Sequence, residues 1–228
     1  MVWFFTAAHV LAEFKERPVL VVVDGEMLRL TGARCRFTGN PAMGDHQQDA
    51  IDAAVLMLTG RNAQALKHNA LPLKGTIGTQ NDVYAWTISL GIPANQTQRD
   101  NVMKRVNIVL MPIGLRELAP ADYEKLDYRR SSHILLDWQT AWNRTTGTSR
   151  ARSIVGASGS PIFGVKKDGT GTVLVGTLTA LVTKKGRKFA VGTRIHVHRQ
   201  LADDLAIGLS DENRRFTKHA AKSERGIV

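Results

Sequence analysis

The stretch Pro161–Val191, PIFGVKKDGTGTVLVGTLTALVTKKGRKFAV, decides the fold. Runs rich in Val, Thr, Leu and Phe fall at Pro161 to Val165, Thr172 to Leu178, Thr179 to Thr183 and Phe189 to Val191. Lys167-Asp168-Gly169 and Lys185-Gly186 stand between them, and glycine there supplies the backbone angles of tight turns. Short apolar runs punctuated in this way predict antiparallel strands of an all-β barrel or sandwich rather than helices.

The pattern recurs outward from this stretch. Pro18 to Asp24 and Glu26 to Leu30 read as a hairpin around Gly25, and further strands are expected at Ala54 to Leu58, Val83 to Leu90, Val106 to Met111 and His133 to Trp138. Gly91-Ile92-Pro93 marks another turn, and Asn143 to Arg152 reads as a long surface loop. Helical periodicity is scarce. It is clear only where His198, Leu201, Leu205 and Leu209 recur at spacings of three or four. Beyond Ser210 the chain turns polar and basic.

Composition excludes several classes. A length of 228 residues suits one domain or two small ones, and the single Cys35 rules out an intrachain disulfide scaffold. A reducing, cytoplasmic setting is therefore expected. No apolar run is long enough for a membrane span, and the apolar Met1–Phe5 lacks the basic flank of a signal peptide. The formal charge is +11, of which residues 184–228 carry +6, from 11 basic and 5 acidic side chains. Such a basic end raises the alternative of nucleic-acid binding.

Three segments carry chemistry: Thr6-Ala7-Ala8-His9, Asp52-Ala53-Ala54-Val55-Leu56-Met57-Leu58 and Gly156-Ala157-Ser158-Gly159-Ser160-Pro161. A serine hydroxyl is a weak nucleophile until a base accepts its proton, and histidine serves as that base near neutral pH. A carboxylate fixes the imidazole tautomer and stabilises the imidazolium that forms. Glycines around Ser158 allow a tight turn, so that the Gly156 and Ser158 amides could form an oxyanion hole. Asp52 is preferred to Asp45 and Asp49 as the acid because a strand pattern continues from it, with Asp49 as the fallback.

In the order His, Asp, Ser, these segments resemble the T-A-A-H, D-x-A-x-L-x-L and G-x-S-G-x-P motifs of the trypsin-like serine peptidases. The residues Trp86 to Pro93 are similar to the strand and glycine turn that open that family's second barrel, and Val175–Ala180 and Val191–Ile195 resemble the strands lining its specificity pocket. The likeness spans about His9 to Leu209 and is nearest to the disulfide-free bacterial trypsin-like peptidase domains. It implies two six-stranded antiparallel β-barrels with a C-terminal helix. Residues 1–75 would form the first barrel, carrying His9 and Asp52; residues 76–209 the second, carrying Ser158, with 210–228 a basic tail. Only eight residues precede His9, where the family has strands, so the first barrel is expected to be truncated at its start or completed differently.

The resemblance also implies an endopeptidase acting on protein or peptide through an acyl-enzyme, with His9, Asp52 and Ser158 as its triad. By alignment, the substrate pocket would be walled by residues near Arg152 to Val155, by Thr179, Ala180 and Leu181, and by Ala190. None is a carboxylate, which disfavours a Lys or Arg preference. Leu181 narrows the pocket toward small or medium apolar side chains, while Arg152, Lys184 and Arg187 leave an acidic preference open. Ala157 stands where activated digestive members carry an acid, so activation through a newly cut N-terminus is not expected.

No cofactor or metal is expected. His196 and His198 lack a Cys or acidic partner at suitable spacing, and structural or surface roles are expected for them. Cys35 lies between Arg34 and Arg36, a setting that can lower a thiol pKa, although a strand cysteine without catalytic function is the simpler reading. The alternative to an active enzyme is an inactive or truncated protease-fold binding module, using the basic C-terminal region against nucleic acid.

Overall fold

The computed structural model describes residues 1–12, 19–23, 26–30, 34–39, 51–72, 76–78, 84–91, 98–100, 105–107, 111–143 and 156–208. The first half contains β1 (Val2–Thr6), α1 (Ala8–Ala12), β2 (Val19–Val23), β3 (Glu26–Leu30), β4 (Arg34–Phe37), β5 (Ala54–Leu58) and α2 (Gly60–Leu66). The second contains β6 (Tyr84–Gly91), β7 (Gln98–Asp100), β8 (Arg105–Asn107), β9 (Met111–Glu117), α3 (Pro120–Lys125), β10 (His133–Asn143), β11 (Pro161–Lys166), β12 (Thr172–Lys184) and β13 (Arg187–Arg194). A helix over 195–208, α4, follows.

Six strands close into an antiparallel barrel in the order β10-β13-β12-β11-β6-β9. Successive side chains point to opposite faces, and one set from each strand fills the barrel. Ile113, Leu115, Ile134, Leu136, Trp138, Ile162, Val173, Val175, Leu178 and Ala190 form this buried core, and Ala157 joins it from the turn before β11. Each large apolar side chain buried here stabilises the fold by about 1.5–3 kcal/mol. On the outer face, Tyr123 of α3, with Leu118 and Leu126 on either side of that helix, covers Leu135, Phe189 and Val191. Pro120 suits the first turn of that helix because its missing N–H would have no helical partner.

Tyr123 anchors this layer. Its hydroxyl donates to Glu117 Oε1 (2.7 Å) and accepts from the Leu135 amide (2.9 Å), while Arg194 Nη2 donates to the same carboxylate oxygen at 2.6 Å. Burial first, and then the Glu117 charge, push the Tyr123 phenol well above its ordinary pKa.

The first half corrects one expectation. Among the described residues it holds no closed barrel: β1, β5 and β4 form an open three-stranded sheet, and β2 and β3 pair only with each other. The hairpin packs on the sheet through Val21, Leu28 and Leu30 against Leu58 and Ala63, rather than continuing its hydrogen-bond ladder. Helix α4 supplies part of the missing cover. Leu201, Val197 and Leu205 pack against Phe5, Ile51, Ala53 and Val55.

Smaller differences have local causes. The strand expected at Val106 to Met111 is two strands, β8 ending at Asn107 and β9 starting at Met111, and β9 tolerates Pro112 and Gly114. The runs Thr172 to Leu178 and Thr179 to Thr183 are one strand with a register shift opposite β13 between Leu178 and Ala180, a bulge rather than a turn. The helix expected around His198 to Leu205 is present as α4; the short α1, α2 and α3 were not anticipated. Leu209, the tail 210–228 and the loop beyond Asn143 to Arg152 lie outside the described residues.

Candidate active site

Strand pairing brings the first two site residues together. In the antiparallel β1–β5 ladder Thr6 lies opposite Ala54, so residues just after Thr6 and just before Ala54 are neighbours. His9 and Asp52 occupy those places. Asp52 Oδ1 accepts the His9 backbone N–H at 3.0 Å and Oδ2 lies 2.7 Å from His9 Nδ1. An ionised carboxylate can only accept, so Nδ1 carries a proton, and in the neutral imidazole the lone pair is then on Nε2. The side chains are 30% and 15% exposed, which keeps the pair partly out of water and its edge open.

Asp52 reaches both groups from a left-handed backbone conformation, φ 50°, which costs energy for a residue with a β-carbon. Its neighbour is braced in compensation. Ala53 N–H donates to Thr38 Oγ1 (2.7 Å), and both the Thr38 amide (2.8 Å) and hydroxyl (3.1 Å) donate to the Ala53 carbonyl. Across the molecule, the Thr193 hydroxyl of β13 donates to the Ile51 carbonyl, tying the Asp52 turn to the barrel.

Ser158 sits on a turn flanked by two left-handed glycines, Gly156 at φ 88° and Gly159 at φ 83°. The buried Ala157 methyl anchors the turn in the barrel core. Gly159 N–H donates to Leu178 O (2.7 Å), Ser160 N–H to Ala157 O (3.1 Å), and Leu178 N–H to Ser160 O (2.8 Å). The Ser158 hydroxyl donates to the Thr179 carbonyl at 3.0 Å. Thr179 is the extra residue of the β12 bulge, and its own hydroxyl donates to Val191 O at 3.0 Å. Such bulges re-aim backbone groups, here a carbonyl toward the serine.

The two parts of the site meet at Gly159. A β-carbon there would overlap the Thr6 hydroxyl and lie 3.6 Å from the Ala7 amide. The turn bearing Ser158 therefore rests directly on the strand end that leads to His9. A cleft of about 790 Å³ also opens between the halves, with Trp3, Phe5, Ile77, Gly159, Pro161 and Thr177 among its walls.

The expected pocket residues are placed differently from one another. Ala180 is exposed, Thr179 is buried, Leu181 packs against the barrel core and Ala190 is fully buried within it. Gly156 is exposed, while Arg152 to Val155 lie outside the described residues, as do Asp45 and Asp49. Lys184 and Arg187 are engaged internally: Lys184 with Asp127 (3.2 Å), and Arg187 with Asp122 (3.0 Å) and Asp137 (3.4 Å).

Among the described residues no cluster of His, Cys, Asp or Glu could hold a metal ion, and no helix is long and apolar enough to cross a membrane. Desolvation pushes the Cys35 thiol up, against the lowering that Arg34 and Arg36 suggest. His196 is held below its ordinary pKa, chiefly by burial. Sequence reasoning missed Thr38, the Thr179 bulge and the Gly159–Thr6 contact. Thr6 and Gly159 lie within the motifs, but nothing local reveals that they touch. The chain matches no protein-family model and no curated protein.

Proposed function

We propose that the protein is a serine endopeptidase of the trypsin-like kind, with His9, Asp52 and Ser158 as its triad. The observation that carries this reading is the two-point grip of Asp52 on His9, at 3.0 Å to the backbone N–H and 2.7 Å to Nδ1. That grip selects the tautomer whose Nε2 can accept a proton, which a merely structural ion pair does not require. On this reading the open sheet and α4 stand in for the first barrel, and the closed barrel is the second.

The reaction follows from these positions. Ser158 Oγ leaves the Thr179 carbonyl, gives its proton to His9 Nε2 and attacks the scissile carbonyl carbon. The Gly156 and Ser158 amides stabilise the developing oxyanion. His9 then protonates the leaving amine, and water, deprotonated by His9, releases the acyl group from Ser158. An extended peptide lies along β12, where the exposed Ala180 and the inward Leu181 favour small or medium apolar side chains.

A fluorophosphonate probe tests this. Covalent labelling of the wild-type chain, lost in Ser158→Ala and His9→Ala, is the expected result; a folded wild-type protein that neither labels nor cleaves an unfolded protein substrate overturns the reading.

A further inference from the structure

Among the described residues His198 is the most deeply buried titratable side chain, with no exposed surface, and its partners lie on the elements that carry the site. Its Nε2 is 3.0 Å from the Thr6 carbonyl and 3.1 Å from Thr177 Oγ1. A carbonyl can only accept, so Nε2 carries the proton and donates it to Thr6, with the Thr177 hydroxyl sharing the same edge of the ring. Phe5 packs against the ring at a centroid distance of 5.6 Å. Thr6 ends β1, touches Gly159 and stands three residues before His9; Thr177 pairs with Pro161, three residues after Ser158.

We propose that His198 is a positioning residue for the triad: by holding the Thr6 carbonyl it fixes the β1 terminus against the Ser158 turn and so sets the separation of His9 from Ser158. This rests on the hydrolase reading above. The imidazole is a better holder here than an aliphatic residue because it fills the space between α4, β1 and β12 while satisfying a buried carbonyl, and an unpaired carbonyl would shift toward water. Displacement of about 1 Å at a reacting centre costs up to roughly a hundredfold in rate. The effect belongs to kcat, since the substrate-binding strand β12 is held by its own ladder.

The test compares His198→Gln, His198→Leu and His198→Asn in the full chain, by rate of fluorophosphonate labelling and by steady-state hydrolysis of p-nitrophenyl acetate, each at a temperature where the variant is fully folded by circular dichroism. Glutamine places a donor nitrogen near the Nε2 position; leucine has no donor, and asparagine is too short to reach. Retention of at least about a third of the wild-type labelling rate in His198→Gln is expected, with a loss of roughly tenfold or more in the other two, falling on kcat with KM unchanged. If His198→Leu does not fold, the Asn and Gln pair carries the comparison. Wild-type rates in Asn or Leu overturn the proposal, as does a loss in Gln as deep as theirs, since bulk and not the donor would then matter. A wild-type chain that does not label overturns the hydrolase reading itself, and is thereby distinguished from wild-type labelling that is indifferent to residue 198.

Discussion

Gly159 lies against Thr6 so closely that no side chain fits between them, and this contact joins the turn bearing Ser158 to the strand end preceding His9. Gly159→Ala forces both an unfavourable φ and an overlap with the Thr6 hydroxyl. A loss of about 1–3 kcal/mol is expected in urea denaturation. Gly186→Ala, at φ 72° in open space, carries the backbone strain alone. The Gly159 variant should therefore lose more stability, and should also slow Ser158 labelling, while the Gly186 variant labels normally.

Asp52→Asn separates geometry from charge. Asparagine tolerates the φ of 50° at this position, so the fold is retained. Its amide can present an N–H to His9 Nδ1, moving the imidazole proton to Nε2, where it blocks acceptance from Ser158. The expected outcome is a fall in kcat of about ten-thousand-fold with an unchanged melting temperature, measured on an ester or peptide substrate. A variant within tenfold of wild type removes Asp52 from the mechanism.

Glu117→Ala strips the partner from Arg194, whose side chain is only 9% exposed, and leaves the Tyr123 hydroxyl without its acceptor. Breaking a buried ion pair costs roughly 3–5 kcal/mol, and the 22% exposure of Glu117 reduces that to about 2–3 kcal/mol here. Denaturant midpoints check this. Tyr123→Phe leaves Glu117 with Arg194 but strips the buried Leu135 amide of its acceptor, and should cost about 1–3 kcal/mol.

Acid should weaken the fold through His198. Burial holds its pKa below the ordinary value, against smaller opposing contributions from hydrogen bonds and the Asp52 charge, with His196 nearby adding to the depression. Above about pH 6.5 both folded and unfolded chains carry it neutral, and its stabilisation is complete. As pH falls below that, the unfolded chain takes up a proton that the folded one refuses, and stability drops by up to about 1.4 kcal/mol per pH unit. His198→Gln should flatten the slope between pH 6.5 and 5 relative to wild type, with His196 and the surface acids common to both proteins. Equal slopes would show that His198 charges without cost.

Much of the strand content was legible because most strands advertise themselves locally. Ala54 to Leu58 is an uninterrupted apolar run and became β5 without adjustment. Lys185-Gly186 fixed the β12–β13 turn through Gly186, since a glycine that accepts positive φ is a local signal. The Thr179 bulge was misread as a strand boundary because a register shift is defined only by the partner strand. β9 was displaced because Pro112 and Gly114 weaken a strand pattern that the barrel nevertheless imposes. α3 carries a local signature in Pro120, Asp122 and Lys125, but six residues are too few to show a helical period. In the site, His9 and Asp52 could be paired from motif order alone. Thr38 could not, since its hydroxyl matters only through where β4 ends beside Ala53.

The bond from His198 to Thr6 spans 192 positions of sequence. On a ribosome, Thr6 and His9 emerge before α4, and at about 5–20 residues per second the interval between them is roughly ten seconds or more. Throughout that interval the sheet bearing His9 lacks the helix that covers it, and the contact of Thr6 with His198 forms only after the turn bearing Ser158 has been made. On the reading proposed above, the triad gains its last support only once α4 has been made, after all three of its members.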